Sequence, residues 1–146
     1  SDFLTVTLVV KREVFAKVGL FDEELPSHQE LDFIIRASRQ YRGLGINIPL
    51  VRVNMKNTAP RIGTNLDRRI AGRLRVLEKN LQEIKKSPPM LAAHYFALGL
   101  LYRDNRQYAH AKNSFQSALK SKFAFRYLLH YSSMVLNGFF YEIFIR

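Results

Sequence analysis

Hydrophobic and polar positions change period several times along this chain, and each change predicts an element. Phe3 to Val10 is a short run rich in β-branched residues and predicts a strand. Lys11 to Val18 reads as a short helix that Gly19 closes with a left-handed cap. Phe21 then serves as an apolar anchor at the entry to an acidic turn. From Leu31 the period is helical again, with Leu31, Ile34, Ile35 and Ser38 on one face and Asp32 with Arg36 on another at four-residue spacing. Tyr41 to Gly45 ends that helix. Ile46 to Val53 predicts a second strand, at an edge or irregular, because Pro49 has no N–H to give to a ladder.

A polar loop, Asn54 to Asn65, leads into a longer pattern. Leu66, Ile70, Leu74, Leu77, Leu81 and Ile84 recur at three- and four-residue intervals and predict one long amphipathic helix. Arg68, Arg69, Arg73, Arg75 and Lys79 fall mostly off its apolar stripe. Lys85-Lys86-Ser87-Pro88-Pro89 closes it and is the best linker candidate, dividing the chain into residues 1–86 and a helical tail, 87–146. Within the tail, Tyr95, Leu98, Gly99 and Tyr102, then Ala111, Phe115 and Ala118, reproduce the tetratricopeptide spacing over about residues 92–120. Only one copy is present, and solenoids need about three, so the long helix on one side and the segment Phe123 to Ile145 on the other are expected to support it. That last segment has fifteen residues, Tyr127 to Tyr141, without Asp, Glu, Lys or Arg, short of the roughly 20 that span a bilayer. It predicts a packing helix first and an interfacial membrane helix second.

Composition narrows the classes. With 146 residues, 47% of them apolar, the chain can bury a core. It has no cysteine, which excludes disulfides and thiolate metal sites, and its four histidines lack ligand spacing, which argues against a protein-only zinc site. The net charge of +11 is unevenly placed: residues 1–49 hold six Lys/Arg against seven Asp/Glu, and residues 50–146 hold seventeen against five. The basic part favours an anionic partner, by nucleic acid, anionic lipid or a phosphate-bearing substrate. No recognition motif or stacking platform points to nucleic acid specifically. The amino end shows a strand pattern in place of a secretory signal, so the expected compartment is the cytoplasm, or the inner face of a membrane.

The candidate chemistry lies between Gly19 and Arg36. Ser27-His28-Gln29-Glu30 fits a capping box, with Ser27 accepting from the first turn and Glu30 reaching back to the Ser27 amide. That reading explains Glu30 without catalysis. Asp32 and Arg36 have a plain reading too, as an exposed helix pair worth about 0.2–0.5 kcal/mol, and Asp22 and Glu23 as turn residues. The basic helix has its own, as a solvated face.

Val10-Lys11-Arg12-Glu13-Val14-Phe15, then Val18-Gly19-Leu20-Phe21-Asp22-Glu23, then Gln29-Glu30-Leu31-Asp32 and Arg36, together resemble the second half of the catalytic domain of family 2 glycosyltransferases. Ile48 to Val53 extends the resemblance, which covers about residues 3–86. It implies an α/β fold: the C-terminal portion of a Rossmann-like glycosyltransferase A fold, incomplete, followed by an α-helical hairpin and a terminal helix. It also implies an inverting, nucleotide-sugar-dependent transferase of cell-surface polysaccharide or glycolipid synthesis. In that chemistry a carboxylate takes the proton of an acceptor hydroxyl, while a divalent cation, Mg or Mn, supports the leaving nucleotide diphosphate.

Residue by residue, the resemblance puts Glu30 in the place of the base, where Asp is commoner, and Asp32 beside it as a second catalytic position. Asp22, Gln29 and Arg36 match positions that bind the acceptor. No Asp-x-Asp and no glycine-rich phosphate loop occurs in the sequence, so the cation ligands and the donor-binding half are expected outside this chain, and the chain alone is expected to be inactive. Relatives often carry a histidine just after the strand that ends in Val53; Asn54, Met55, Lys56 and Asn57 stand there instead. The expected partners are a nucleotide-sugar donor, a sugar or lipid-linked acceptor and an anionic membrane surface. A non-catalytic helical interaction module, or an anionic-surface binder, is the alternative.

Overall fold

The computed structural model describes residues 7–52 and 65–136. Seven helices account for its regular structure: α1 (Arg12–Val18), α2 (Gln29–Ser38), α3 (Leu66–Lys79), α4 (Leu81–Ile84), α5 (Pro88–Asp104), α6 (Tyr108–Ser121) and α7 (Phe125–Val135). Among the described residues there is no strand and no sheet, which corrects the expected α/β, Rossmann-like fold. Of the first expected strand, residues 7–10 join no ladder and residues 3–6 lie outside the described residues. Of the second, residues 46–52 join none either, and Ile46, Ile48 and Leu50 are exposed at 63%, 62% and 71%. The physical reason is that β propensity expresses a fit to a pleated, half-buried surface and not an intrinsic backbone state. Without a second strand to exchange N–H···O=C bonds with, β-branched residues make no sheet.

The first two helices meet through three aromatic rings. Phe15 on α1 and Phe33 on α2 have ring centroids 4.8 Å apart, and Phe21 from the intervening turn lies 5.1 Å from Phe33. Phe33 is 1% exposed, and full burial of such a side chain stabilises by about 1.5–3 kcal/mol. Phe21 is thus the anchor that its sequence position suggests. Gly19 ends α1 with φ 83° and ψ 172°, its N–H on the Phe15 carbonyl at 2.9 Å; the positive φ is as expected, the left-handed helical ψ is not.

The long helix is divided. Asn65 starts α3 by accepting from the Arg68 amide at 2.9 Å, and the helix ends at Asn80, whose φ of −108° and ψ of 13° separate it from α4. Ile70, Leu77 and Ile84 are buried as the stripe requires, whereas Leu74 is 41% exposed, and Val76 and Arg73, both off the expected stripe, are only 0% and 7% exposed. The stripe is therefore rotated from its expected position. Pro88 and Pro89, expected in a linker, instead occupy the first turn of α5, where a missing N–H costs nothing. Ser87 caps that turn, accepting from the Met90 amide at 3.4 Å.

Helices α5 and α6 form the expected hairpin. A Cβ on Gly99 would stand 2.4 Å from the Phe115 ring, so only glycine lets α5 approach so closely. Ala92, Ala111, Phe115 and Ala118 are completely buried between α5, α6 and α7. One further cluster, Leu25, Ile35, Val76, Leu77, Ile84 and Leu98, joins the acidic segment to the hairpin across the expected boundary at residue 86. Among the described residues no helix is long and apolar enough to cross a membrane.

Candidate functional site

The acidic segment is fastened to the end of α3 through one buried carboxylate. Asp32 is fully buried on the first turns of α2. Its Oδ2 accepts from Arg36 Nε at 2.9 Å and Lys79 Nζ at 3.2 Å, and its Oδ1 accepts from Asn80 Nδ2 at 2.9 Å. Burial alone would raise the Asp32 carboxyl, but the hydrogen bonds from Asn80, Arg36 and Lys79 outweigh it and hold the group below its ordinary range. Asp32 is therefore ionised and enclosed, and in this arrangement it meets no acceptor hydroxyl.

Each partner of Asp32 reaches a second group. Arg36 donates through Nη1 to the Val18 carbonyl and through Nη2 to the Leu20 carbonyl at 2.7 Å, so it satisfies an orphan carbonyl at the end of α1 and orders the turn that follows. Lys79 donates also to Asp22 Oδ2 at 2.8 Å. Asn80 donates to the Val76 carbonyl at 3.1 Å and accepts from Arg39 Nη2 at 3.2 Å. Asp22 lies below its ordinary pKa because of Lys79 first and the Glu24 amide second. Lys79 is pushed down by burial, but its bonds to Asp22 and Asp32 outweigh this and raise it.

Of the residues singled out in the sequence, the structure thus brings Asp22, Asp32 and Arg36 together through Lys79. Gln29 stands apart from them, donating to the Leu25 carbonyl at 2.7 Å. Glu30 lies half-buried on the first turn of α2, two residues from Asp32. The helix starts one residue later than the expected capping box, which put Ser27 at the N-cap. The N-cap is His28, with φ 64° and ψ 29°, and it makes no side-chain cap bond. Ser27 gives its hydroxyl proton to the Arg68 carbonyl at 3.0 Å, so the His28 Nδ1–H donates to Ser27 Oγ across 2.8 Å.

Gly72 makes that contact possible, since a Cβ there would stand 2.3 Å from Ser27 Oγ. Behind it, on α5, His94 is 3% exposed with no hydrogen bond to Nδ1. Burial first, then the charges of Arg73 and His28, push its pKa down to about 4.

Sequence reasoning missed Lys79 and Asn80, which it assigned to a solvated face and to a helix interior. The asparagine carried a signal, because its side chain competes with the helical backbone and favours termini. Arg75, on the same face, pairs with Glu24 at 2.5 Å. The basic helix therefore faces the acidic segment with part of its charge.

Among the described residues no three His, Asp or Glu side chains converge as a metal site needs. Asp22 and Asp32 do converge, but the Lys79 ammonium already stands between them, and a divalent cation does not fit there. An open groove of about 180 Å³ lies elsewhere, between α3, α5 and α6, lined by Leu74, Tyr95, Tyr102, His110, Asn113 and Ser117 among others. The expected loop with Lys56 lies outside the described residues. No family model, curated protein or solved structure matches the chain.

Proposed function

We propose that this chain carries the acceptor-and-base segment of an inverting, nucleotide-sugar-dependent glycosyltransferase that builds a cell-surface polysaccharide or glycolipid. The observation that supports it is the division of labour between two neighbouring carboxylates. Asp32 is enclosed, ionised and bonded on both oxygens, a positioning group that fixes α2 against α1 and α3. Glu30, on the same first turn, is half-buried on that fixed frame.

On this reading Glu30 accepts the acceptor hydroxyl's proton as the oxygen bonds to the anomeric carbon. The bond from that carbon to the nucleotide diphosphate oxygen breaks on the opposite side, and the diphosphate departs with the electron pair. Asp22, Gln29 and Arg36 order the turn and helix start that flank the acceptor. The nucleotide sugar and the divalent cation, Mg or Mn, are held by residues outside this sequence. The protein works in the cytoplasm, where nucleotide sugars serve as donors, against the inner face of a membrane.

The test is Glu30→Gln in the protein that joins this chain to its donor-binding residues. Transfer is lost and nucleotide-sugar binding persists; retained turnover overturns the assignment. The isolated 146 residues transfer no sugar, and detectable transfer would overturn the division between donor and acceptor halves.

A second reading, a helical interaction module, has its own observation in the groove between α3, α5 and α6. Aromatic Tyr95 and Tyr102 alternate there with the hydrogen-bonding Asn113 and Ser117. It requires that a bound protein be released by Asn113→Ala with Tyr95→Ala and be indifferent to Glu30→Gln.

A further inference from the structure

Helix α7 is apolar on both faces. On one face Tyr127 and Met134 are buried, and Tyr127 and His130 lie 4.7 Å and 4.9 Å from the Phe96 ring, which seats the helix on α5 and α6. On the other, Phe125, Leu128, Leu129 and Leu136 follow one another at helical spacing and are exposed at 67%, 38%, 45% and 60%. Phe123, in the turn before the helix, adds 70% exposure. A solvent-facing stripe is normally polar. Here the one polar residue in it, Ser132, donates its hydroxyl proton to the carbonyls of Leu128 and Leu129 at 2.9 and 3.1 Å, so its proton is not offered outward.

The charge around this stripe has one sign. From Asn105 to Leu136 the sequence holds five Lys/Arg and no Asp or Glu. Lys120 and Lys122 precede Phe123 and are both exposed, while Arg126, the one formal charge within α7, lays its guanidinium 5.0 Å from the Phe96 and Tyr127 rings. A second copy of the chain seated on this stripe would bring two such basic sets together with no carboxylate to pair them. An anionic partner with an apolar interior has the opposite requirements, and both are met.

We propose that the α6–α7 turn and the outer face of α7 dock on an anionic lipid bilayer, with Phe123, Phe125 and Leu129 entering the acyl boundary and Lys120 and Lys122 at the headgroups. The long stems of the basic residues cover apolar surface while their charged ends stay at headgroup level. The basic helix α3, by contrast, turns Arg75 and Lys79 to carboxylates of its own chain. The inference fits the lipid-linked acceptor of the proposed transferase and stands on separate observations, so vesicle binding and the Glu30 assay fail independently.

The test is cosedimentation of the full chain with phosphatidylcholine vesicles that contain or lack phosphatidylserine. The chain binds the phosphatidylserine vesicles and not the neutral ones. Phe123→Ser with Phe125→Ser weakens binding at least about tenfold, since two exposed aromatics no longer enter the bilayer. Lys120→Glu with Lys122→Glu weakens it by more than about tenfold, from about fivefold per lysine removed. Arg12→Glu with Lys85→Glu, the same charge change on exposed positions elsewhere, leaves most of the binding. Circular dichroism verifies that each variant keeps the parent's helix content. The proposal is overturned by no binding to phosphatidylserine vesicles, by equal loss in the remote pair, or by unchanged binding of the phenylalanine pair, which marks contact by charge alone. Dimerisation lost on Phe125→Ser without vesicle binding also overturns it and gives the face to a second copy.

Discussion

Asn80 donates to Asp32 across 48 residues of sequence, at 2.9 Å, from the point where the basic helix breaks. The same amide donates to the Val76 carbonyl four residues back. A residue that serves the helix end and a buried carboxylate at once fixes both where α3 stops and where α2 begins. Lys79, its neighbour, repeats the arrangement by joining Asp32 to Asp22.

Removing the carboxylate should therefore cost more than removing any exposed ion pair. Asp32→Ala leaves the half-buried Arg36 and the buried Asn80 amide without their shared acceptor, and breaking a buried pair on one side is destabilising by about 3–5 kcal/mol. Chemical denaturation of Asp32→Ala is expected to show a loss in that range. Glu24→Gln, which breaks an exposed pair with Arg75, is expected to leave the midpoint unchanged. Equal midpoints for the two variants would return Asp32 and Arg36 to an ordinary surface pair.

Two glycines inside helices give an inverted prediction. Alanine is intrinsically better than glycine in a helix by about 1 kcal/mol. Yet a Cβ would stand 2.3 Å from Ser27 Oγ at Gly72 and 2.4 Å from the Phe115 ring at Gly99. Both Gly72→Ala and Gly99→Ala should destabilise by about 1–3 kcal/mol through overpacking. Phe115→Leu should recover part of the Gly99→Ala loss and none of the Gly72→Ala loss, a difference that a double-mutant cycle measures.

The helices were legible where a local period or a local cap defines them. Ala111, Phe115 and Gly99 announced the α5–α6 hairpin by spacing alone, and the Gly19 stop followed from chain geometry. Two kinds of feature were not legible. The runs 3–10 and 46–53 carry strand-like residues, but pairing is a property of two segments, and the described parts find none. Ser27 and Glu30 have capping-box spacing, yet Gly72, some 45 residues on, offers Ser27 a position against α3 that takes its hydroxyl away from the helix end. For the candidate site, Asp32 with Arg36 was visible as an i, i+4 pair, while Lys79 and Asn80 reach Asp32 by tertiary packing, and the asparagine's signal marks a helix end without naming its partner.

His94 supplies a prediction about pH whose sign is fixed by its surroundings. Its pKa falls from 6.5 to about 4 because burial, then Arg73 and His28, disfavour the imidazolium. A folded-state value below the unfolded one means that the stability from the neutral ring is fully present above pH 6.5 and is lost as pH falls toward 4. Over that window the linkage amounts to about 3 kcal/mol. His130, also pushed down by burial and then by Arg103 and Arg126, adds in the same direction. Asp22 and Asp32, both lowered, contribute their loss at lower pH, below the ordinary carboxylate value of 3.8. Denaturation midpoints should thus decline from pH 6.5 to 4, before the carboxylates protonate. His94→Gln should flatten most of that decline, and NMR titration of the parent should show the His94 ring neutral at pH 5 and above. A His94 ring that titrates near 6.5 would place it in contact with solvent and dissolve the buried contact between α3 and α5.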